Sequence, residues 1–333
     1  MGKKPRILIV DDCPDTHRMI KTYFINDPYE IISAINGYEA LHMIEEKTPD
    51  LILLDVLMPG INGFDVCKQL KENPATFLVP IIMITALEDS ANKIRGIELG
   101  VDDFITKPFQ LVELKARVAS LLRVKKFTDE LDNAEKIIIS LALAVESKDE
   151  NLIGHCNRLA NYATILAKKL KMSEEEIEVI RKGAILHDIG KVSISDHILL
   201  KTAPLSTEEF EIIKEHPVIG ERICKPLATL SPVLPIIRSH QERYNGSGYP
   251  DGLSGRQIPV NTHIVSIVDC YDALTSNRPY RKALSKTEAL RVLGQETKDG
   301  LWEKKLLENL TDIVSQKGIE EKVNENTINE YQV

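Results

Sequence analysis

The chain has 333 residues, which predicts about two domains at a typical ~150 residues per domain. Apolar residues make up 43% and charged residues 28% of the chain, which excludes both a disordered chain and a fibre. The net charge of −8 has the wrong sign for a protein that binds nucleic acid by neutralising phosphates. We therefore expect no DNA-binding output.

Short β-branched runs alternate with stretches of helical period through the first third of the chain. Such alternation is typical of an α/β fold with a doubly wound parallel sheet, and we count five strands, as in a flavodoxin-like fold. A helix over 15–24 follows the first strand, and a helix over 110–122 closes this region. The strands that we can place cover 6–10, 51–55, 80–85 and, as the last strand, 101–105.

The segment 111–145 contains neither Gly nor Pro, and its apolar residues recur three or four positions apart, which predicts one long helix. Lys125, Thr128 and Asp132 fall where a strict heptad would need apolar residues, so a homodimer through this helix stays an open alternative. We expect domain bounds of 1–124 and 148–315, with 125–147 as the connecting helix and 316–333 as a flexible tail.

Beyond the connecting helix the strand signal nearly vanishes, and amphipathic helical patterns dominate. These patterns predict an all-α second domain. The helices that we expect there cover 158–170, 173–186, 207–215 and 262–274.

No targeting or membrane segment is evident. The longest apolar stretch, 137–145, is far shorter than the ~20 residues that span a bilayer. Only four apolar residues separate the basic start from Asp11, too few for a signal-peptide core. The five cysteines are scattered without a C-x-x-C pair and are typical of reduced thiols. We expect a cytoplasmic protein without membrane insertion.

Carboxylates stand at the ends of predicted strands in the first domain. Asp11 and Asp12 follow the first strand and Asp55 ends the third, so the three share the crevice at the carboxyl edge of the sheet. Clustered carboxylates repel one another and favour a hard cation such as Mg²⁺. Thr85 and Lys107 add a hydroxyl and an ammonium to the same edge, where they could bind a phosphoryl group.

This arrangement, with Met58-Pro59-Gly60 and Lys107-Pro108-Phe109, resembles the receiver domains of two-component response regulators over residues ~5–123. The resemblance implies phosphorylation of Asp55 by a histidine kinase. It also implies Mg²⁺ held by Asp11, Asp12 and Asp55, a switch at Thr85, and pairing of Lys107 with the phosphate.

Histidines and acidic residues of the second domain form a second set of candidate metal ligands. His187 and Asp188 stand side by side at the end of a helix, and Asp269 comes from a later apolar helix. A mixed nitrogen and oxygen set suits Mn, Fe, Zn or Ni, and a carboxylate that bridges two such ions supports phosphodiester hydrolysis.

Over residues ~140–312 the sequence resembles the HD-GYP phosphodiesterases. The motifs that carry this resemblance are His187-Asp188-Ile-Gly-Lys191, His216-Pro and His240-Gln-Glu-Arg-Tyr-Asn-Gly-Ser-Gly-Tyr249-Pro. The resemblance implies hydrolysis of cyclic di-GMP to pGpG or GMP at a dinuclear site. It implies catalytic roles for Asp188 and Lys191, with Arg278, Arg281 and Tyr249 near the substrate; the two arginines are equally suited to pinning the ligand helices. The implied ligands are His155, His187, Asp188 and Asp269 for one ion, with Asp188 bridging to a second ion on His216 and His240.

Two departures from this family pattern predict weaker binding of the second ion. Gln241 stands where the family commonly has a second adjacent histidine, and Asn245 replaces an aspartate before Gly246. Asn151, beside Glu150, replaces the glutamate of members with a third ion, so we expect two ions at most.

Three hypotheses follow for the function. The first is a phosphorylation-controlled cyclic di-GMP phosphodiesterase. The second is a weak or inactive module that binds nucleotide or protein, and the third is a hydrolase of linear or hybrid dinucleotides.

Overall fold

The structure is a computed structural model that describes residues 4–86, 90–148, 154–277, 281–316, 318–319 and 323. The chain divides into two units, 1–130 and 131–333, and the division falls inside one long helix. No helix in these described ranges has the length and apolar character needed to cross a membrane. The domain bounds expected from the sequence stay a prediction.

The first unit is built on a five-stranded parallel sheet in the order β2-β1-β3-β4-β5. In the register Val10 lies beside Leu54, and Asp55 lies beside Ile84, so three neighbouring strands end at one edge. This edge is also where the strand order reverses between β1 and β3, the usual ligand crevice of such sheets. The strands are β1 (Arg6–Val10), β2 (Glu30–Ala34), β3 (Leu51–Asp55), β4 (Ile81–Thr85) and β5 (Asp103–Thr106).

Helices cover both faces of the sheet and bury a core on each. Leu8 and Ile52 point into one core, whereas Ile7 and Leu51 point into the other, because successive strand residues face opposite sides. The doubly wound α/β fold expected from the sequence is confirmed. Its helices are α1 (Pro14–Tyr23), α2 (Gly37–Glu46), α3 (Gly63–Glu72), α4 (Ser90–Glu98) and the first part of α5 (Leu111–Glu146).

The second unit is helical, as expected. Its core gathers apolar side chains from α6, α7 and α12, among them Leu159, Ile180 and Ile264, all fully buried. The helices are α6 (His155–Lys169), α7 (Glu174–Leu186), α8 (Asp196–Leu199), α9 (Thr207–Lys214), α10 (His216–Cys224), α11 (Leu234–Ser239), α12 (Val260–Thr275), α13 (Lys286–Lys298) and α14 (Lys304–Val314).

Two details differ from the expectation. The last strand is Asp103–Thr106, two residues later at its start than expected, since Val101 packs into the core before the ladder begins. Within the segment expected as a flexible tail, Ile319 and Val323 are buried in the helical core, and Asn161 Nδ2 donates to the Val323 carbonyl.

Candidate functional site

The acidic pocket of the first unit lies at the carboxyl edge of the sheet. One carboxylate oxygen each from Asp11, Asp12 and Asp55 lies within 4.8 Å of the others, a grouping able to hold a cation. Lys107 Nζ donates to Asp11 Oδ2 at 2.9 Å and to Asp55 Oδ2 at 2.8 Å. Burial raises the pKa of Asp55, and Lys107 only partly offsets this effect. Thr85, also buried, ends β4 at the same edge.

The histidine and aspartate set of the second unit comes from helix ends. His187 directly follows α7, His240 directly follows α11, and His155 and His216 begin α6 and α10. Asp269 alone lies within a helix, on α12. Every imidazole of this set is buried, with His187 fully so. Residues far apart in sequence therefore meet in one buried centre.

Asp188 stands between two groups of imidazoles. Its Oδ2 lies 3.2 Å from His187 Nε2, and its Oδ1 lies 3.2 Å from His216 Nε2 and 3.6 Å from His240 Nε2. His155 Nε2 approaches Asp269 Oδ1 at 3.4 Å. The groupings able to hold a cation include His155, His187 and Asp269 in one case and His187, Asp188 and His240 in another. One carboxylate can thus serve two adjacent cation positions.

Backbone contacts orient the imidazoles. The Nδ1 atoms of three histidines lie 2.7 to 2.9 Å from a carbonyl oxygen three residues earlier. A carbonyl can only accept, so Nδ1 carries the proton and Nε2 is left to act as a ligand. The pairs are His187 with Ala184, His216 with Ile213 and His240 with Ile237.

Two buried atoms fit a cation in particular. His187 Nε2 and Asp188 Oδ1 have no hydrogen-bond partner within the described part of the chain. A buried polar atom without a partner is costly, and a divalent cation would satisfy both. The Nε2 atoms of His216 and His240 also face each other at 3.1 Å, as two ligands of one ion would. The donor set therefore fits divalent metals.

The buried charges of this centre affect two of its histidines in opposite ways. Burial, with help from the neighbouring imidazoles, lowers the pKa of His240 to about 4, so this side chain is neutral near pH 7. Burial opposes protonation of His187, but the adjacent Asp188 outweighs it and raises the pKa of His187 to about 9. Cation binding at His187 would therefore release a proton.

Sequence reasoning missed the residues that orient His155. Asp272, buried one helical turn after Asp269, lies with its Oδ2 2.7 Å from His155 Nδ1. Arg158 Nε donates to Asp272 Oδ1 at 2.8 Å. Burial tends to raise the pKa of Asp272, yet His155 and Arg158 together lower it to about 2. The i,i+3 spacing of the two aspartates was the available signal.

A second missed residue fixes the loop around Tyr249. Buried Glu242 accepts three backbone N–H groups, those of residues 251 to 253, at 2.7 to 3.1 Å. Gly246 has a φ of +80°, but Gly248 does not adopt a positive φ. Gly248 is needed for close approach, because a Cβ there would lie 2.4 Å from the Cα of Glu242.

The remaining predicted residues are placed as follows. Lys191 Nζ donates to Asp188 Oδ2, and the Tyr249 ring lies 6.4 Å from the His216 ring. Arg281 donates to the carbonyls of Ala273 and Leu274 at the end of α12, which fits pinning of that helix rather than a phosphate contact. Arg278, Glu150 and Asn151 lie outside the described residues.

The first domain has a parallel sheet with clustered carboxylates and a lysine at its carboxyl edge, and the second is helical with a His/Asp centre. Together they define a response regulator with a metal-binding output domain. The family model described as response regulator receiver domain matches residues 7–119, and the model described as HD domain matches residues 140–304.

Relatives at 32–34% identity match across both domains, among them the following two. The cyclic di-GMP phosphodiesterase response regulator RpfG of Xanthomonas campestris is 34% identical over 311 residues, covering 86% of this chain and 82% of that protein. The cyclic di-GMP phosphodiesterase of Thermotoga maritima is 34% identical over 318 residues, covering 86% and 84%. The chain therefore belongs to the family of response regulators that join a receiver domain to an HD domain of the HD-GYP type.

Proposed function

We propose that the chain is a metal-dependent phosphodiesterase that hydrolyses cyclic di-GMP to pGpG or GMP, and that phosphorylation of Asp55 regulates it. The names of the two relatives support the substrate. The observation that carries the proposal is a pair of buried ligand atoms, His187 Nε2 and Asp188 Oδ1, inside a converging His/Asp set. Neither atom has a hydrogen-bond partner among the described residues.

Two ions are assigned to this set. Divalent Fe, Mn, Ni or Zn held there would supply hydroxide near neutral pH and neutralise charge on the phosphate oxygens. The first ion would be held by His155, His187, Asp188 and Asp269, and the second by Asp188, His216 and His240.

The protein's own side chains would orient the substrate. Asp188 presents one oxygen to each imidazole group, so its removal strips both positions at once. The ammonium of Lys191 lies beside Asp188, where it would bind an oxygen of the scissile phosphate. Tyr249, on the loop held by Glu242, lies next to His216 and would contact the nucleotide.

In the receiver domain, we assign Mg²⁺ to Asp11, Asp12 and Asp55, with a histidine kinase as the phosphodonor. Lys107 donates to both Asp11 and Asp55, which supports pairing of its ammonium with a phosphoryl group on Asp55. Thr85, at the end of β4, would receive the phosphoryl oxygens and act as the switch.

Gln241 and Asn245 favour a second candidate, a weak module that binds nucleotide without rapid turnover. The Asn245 Oδ1 atom accepts from Ser247 N at 3.0 Å and Ser247 Oγ at 2.7 Å, so it supports the loop and offers no carboxylate to a metal. A preference for linear or hybrid dinucleotides would be distinguished by competition kinetics.

The test is hydrolysis of cyclic di-GMP by the purified full chain loaded with Mn²⁺, or with Fe²⁺ under anaerobic conditions. We expect linear product from the wild type and none from Asp188→Ala, since both ions lose their shared ligand. Exposed Glu174→Ala is the control and should match the wild type. Binding without product in the wild type would favour the second candidate, and turnover by Asp188→Ala would contradict the site.

A further inference from the structure

Three side chains beside the candidate metal centre form an aromatic cluster, defined as Phe210, Lys214 and Tyr249. Phe210, on α9, is 44% exposed, and its ring meets the Tyr249 ring edge to face with centroids 6.5 Å apart. Lys214, one helical turn later, places Nζ 5.1 Å from the Phe210 centroid and 6.0 Å from the Tyr249 centroid. A cation and two rings thus share one partly open surface.

The aromatic cluster leads outward from the centre. The Tyr249 ring packs edge to face on His216 at 6.4 Å, and His216 Nε2 lies 3.2 Å from Asp188 Oδ1. In a nucleotide the base is one ribose away from its phosphate. A dinucleotide whose phosphodiester lies at the centre would therefore bring a base to the aromatic cluster.

The chemistry of the aromatic cluster matches a purine. Aromatic rings stack on the flat face of any base, and a lysine ammonium donates to the O6 and N7 acceptors of guanine. Adenine carries an amino donor in place of O6, so the ammonium disfavours it. Lys214 Nζ also contacts Glu211 at 2.7 Å, which uses one of its three donors.

We propose that Phe210, Tyr249 and Lys214 form a subsite for one guanine base of the dinucleotide, an inference that rests on the proposed function. Phe210 provides the stacking face, and Lys214 provides the contact that favours guanine. Neither Phe210 nor Lys214 belongs to a motif of the sequence named above.

The experiment compares KM and kcat for cyclic di-GMP in the Mn²⁺-loaded full chain. Phe210→Ala should raise KM about 10-fold, the effect of losing one base stack, with a smaller change in kcat. Phe210→Leu keeps an apolar side chain but no ring, and should behave like Phe210→Ala, whereas Phe210→Trp should restore the wild-type KM. Metal content is measured for each variant to show that the centre is intact.

Ile212→Ala is the matched control. Ile212 is on the same helix and 43% exposed, but residues two apart on a helix face different directions. Its KM should match the wild type. In parallel, Lys214→Gln should reduce the preference for cyclic di-GMP over cyclic di-AMP.

The outcomes separate the two proposals. An unchanged KM in Phe210→Ala, an equal rise in Ile212→Ala, or an unchanged base preference in Lys214→Gln would overturn the subsite. A wild type that hydrolyses no cyclic di-GMP would instead overturn the proposed function.

Discussion

Asp272 controls which nitrogen of His155 is available to a metal ion. Its carboxylate accepts from His155 Nδ1 at 2.7 Å, which leaves Nε2 directed toward Asp269. Arg158 keeps this carboxylate charged, because its guanidinium donates to both Asp272 oxygens. A carboxylate behind a ligating histidine fixes the tautomer and raises the basicity of the ligand. Asp272 is thus a positioning residue for the first of the two proposed cation sites.

Substituting the Asp272 carboxylate should weaken metal binding more than it destabilises the fold. In Asp272→Asn the side chain keeps its size but loses its charge, so we expect Mn²⁺ affinity to fall about 10- to 100-fold. Titration calorimetry on the metal-stripped protein measures the change.

The control for Asp272→Asn is Asp312→Asn, which removes an exposed carboxylate paired only with Lys169 among the described contacts. Asp312→Asn should retain the wild-type Mn²⁺ affinity. If Asp272→Asn also retained it, His155 would not need the carboxylate, and the positioning role would be wrong.

Among the elements, the 3-10 turn Ile189–Ser193 and α10 are packed unusually closely. A Cβ on Gly190 would lie 1.9 Å from the His216 carbonyl oxygen and 2.7 Å from Gly220 N. Backbone atoms cannot yield as a flexible side chain would, so only glycine allows this approach. The contact holds His216 at 3.2 Å from Asp188.

Gly190→Ala should therefore push α10 away from the turn and take His216 with it. We expect a loss of about 1–3 kcal/mol in the free energy of unfolding, the usual cost of overpacking. With excess Mg²⁺ present to occupy the receiver pocket, the number of bound Mn²⁺ ions should fall from two to one, since His216 is assigned to the second ion alone. Urea unfolding and elemental analysis measure these changes.

Gly294→Ala is the control, because Gly294 lies within α13 and, among the described residues outside its own helix backbone, no heavy atom lies within 4 Å of an added Cβ. Alanine favours a helix interior by up to about 1 kcal/mol over glycine, so this variant should be slightly more stable. Two bound ions in Gly190→Ala would show that the close packing does not position His216.

The sequence predicts elements better than it predicts contacts between them. The strand β3 is fully buried, so its sequence is a continuous apolar run that predicts a strand. The strand β2 is half-buried along most of its length, and its sequence gives no clear strand pattern. Similarity to known motifs predicted the His/Asp set, but no local period shows that α6 and α12 meet. Asp272, Glu242 and the steric need for Gly248 depend on such long-range contacts.

The long helix α5 has core residues in both units. Leu114 and Val118 are fully buried in the core of the receiver domain, and Ile139 and Ala142 are buried in the helical core. At its end, Glu146 Oε1 accepts from the backbone N–H of Cys156, the residue after His155. Val145, Glu146, His155 and Asp188 also line one small cavity. The end of α5 therefore lies beside the candidate metal centre.

Under the proposed function, phosphorylation of Asp55 would act on the output domain through α5. A phosphoryl group adds about 1.5 to 2 negative charges and three acceptor oxygens at the edge of the sheet. Lys107, now bonded to Asp11 and Asp55, would have to rearrange around it. We expect acetyl phosphate with Mg²⁺ to change the rate at which the wild type hydrolyses cyclic di-GMP.

Asp55→Asn should remove this response and leave the rate measured without acetyl phosphate unchanged, because the amide cannot form the acyl phosphate. Glu45→Gln, an exposed charge change on α2, should respond like the wild type. The rates are compared with and without acetyl phosphate at a fixed Mn²⁺ concentration. A response that persists in Asp55→Asn would mean that the regulating group lies elsewhere. The helix α5 would then not carry a signal from a phosphorylated Asp55.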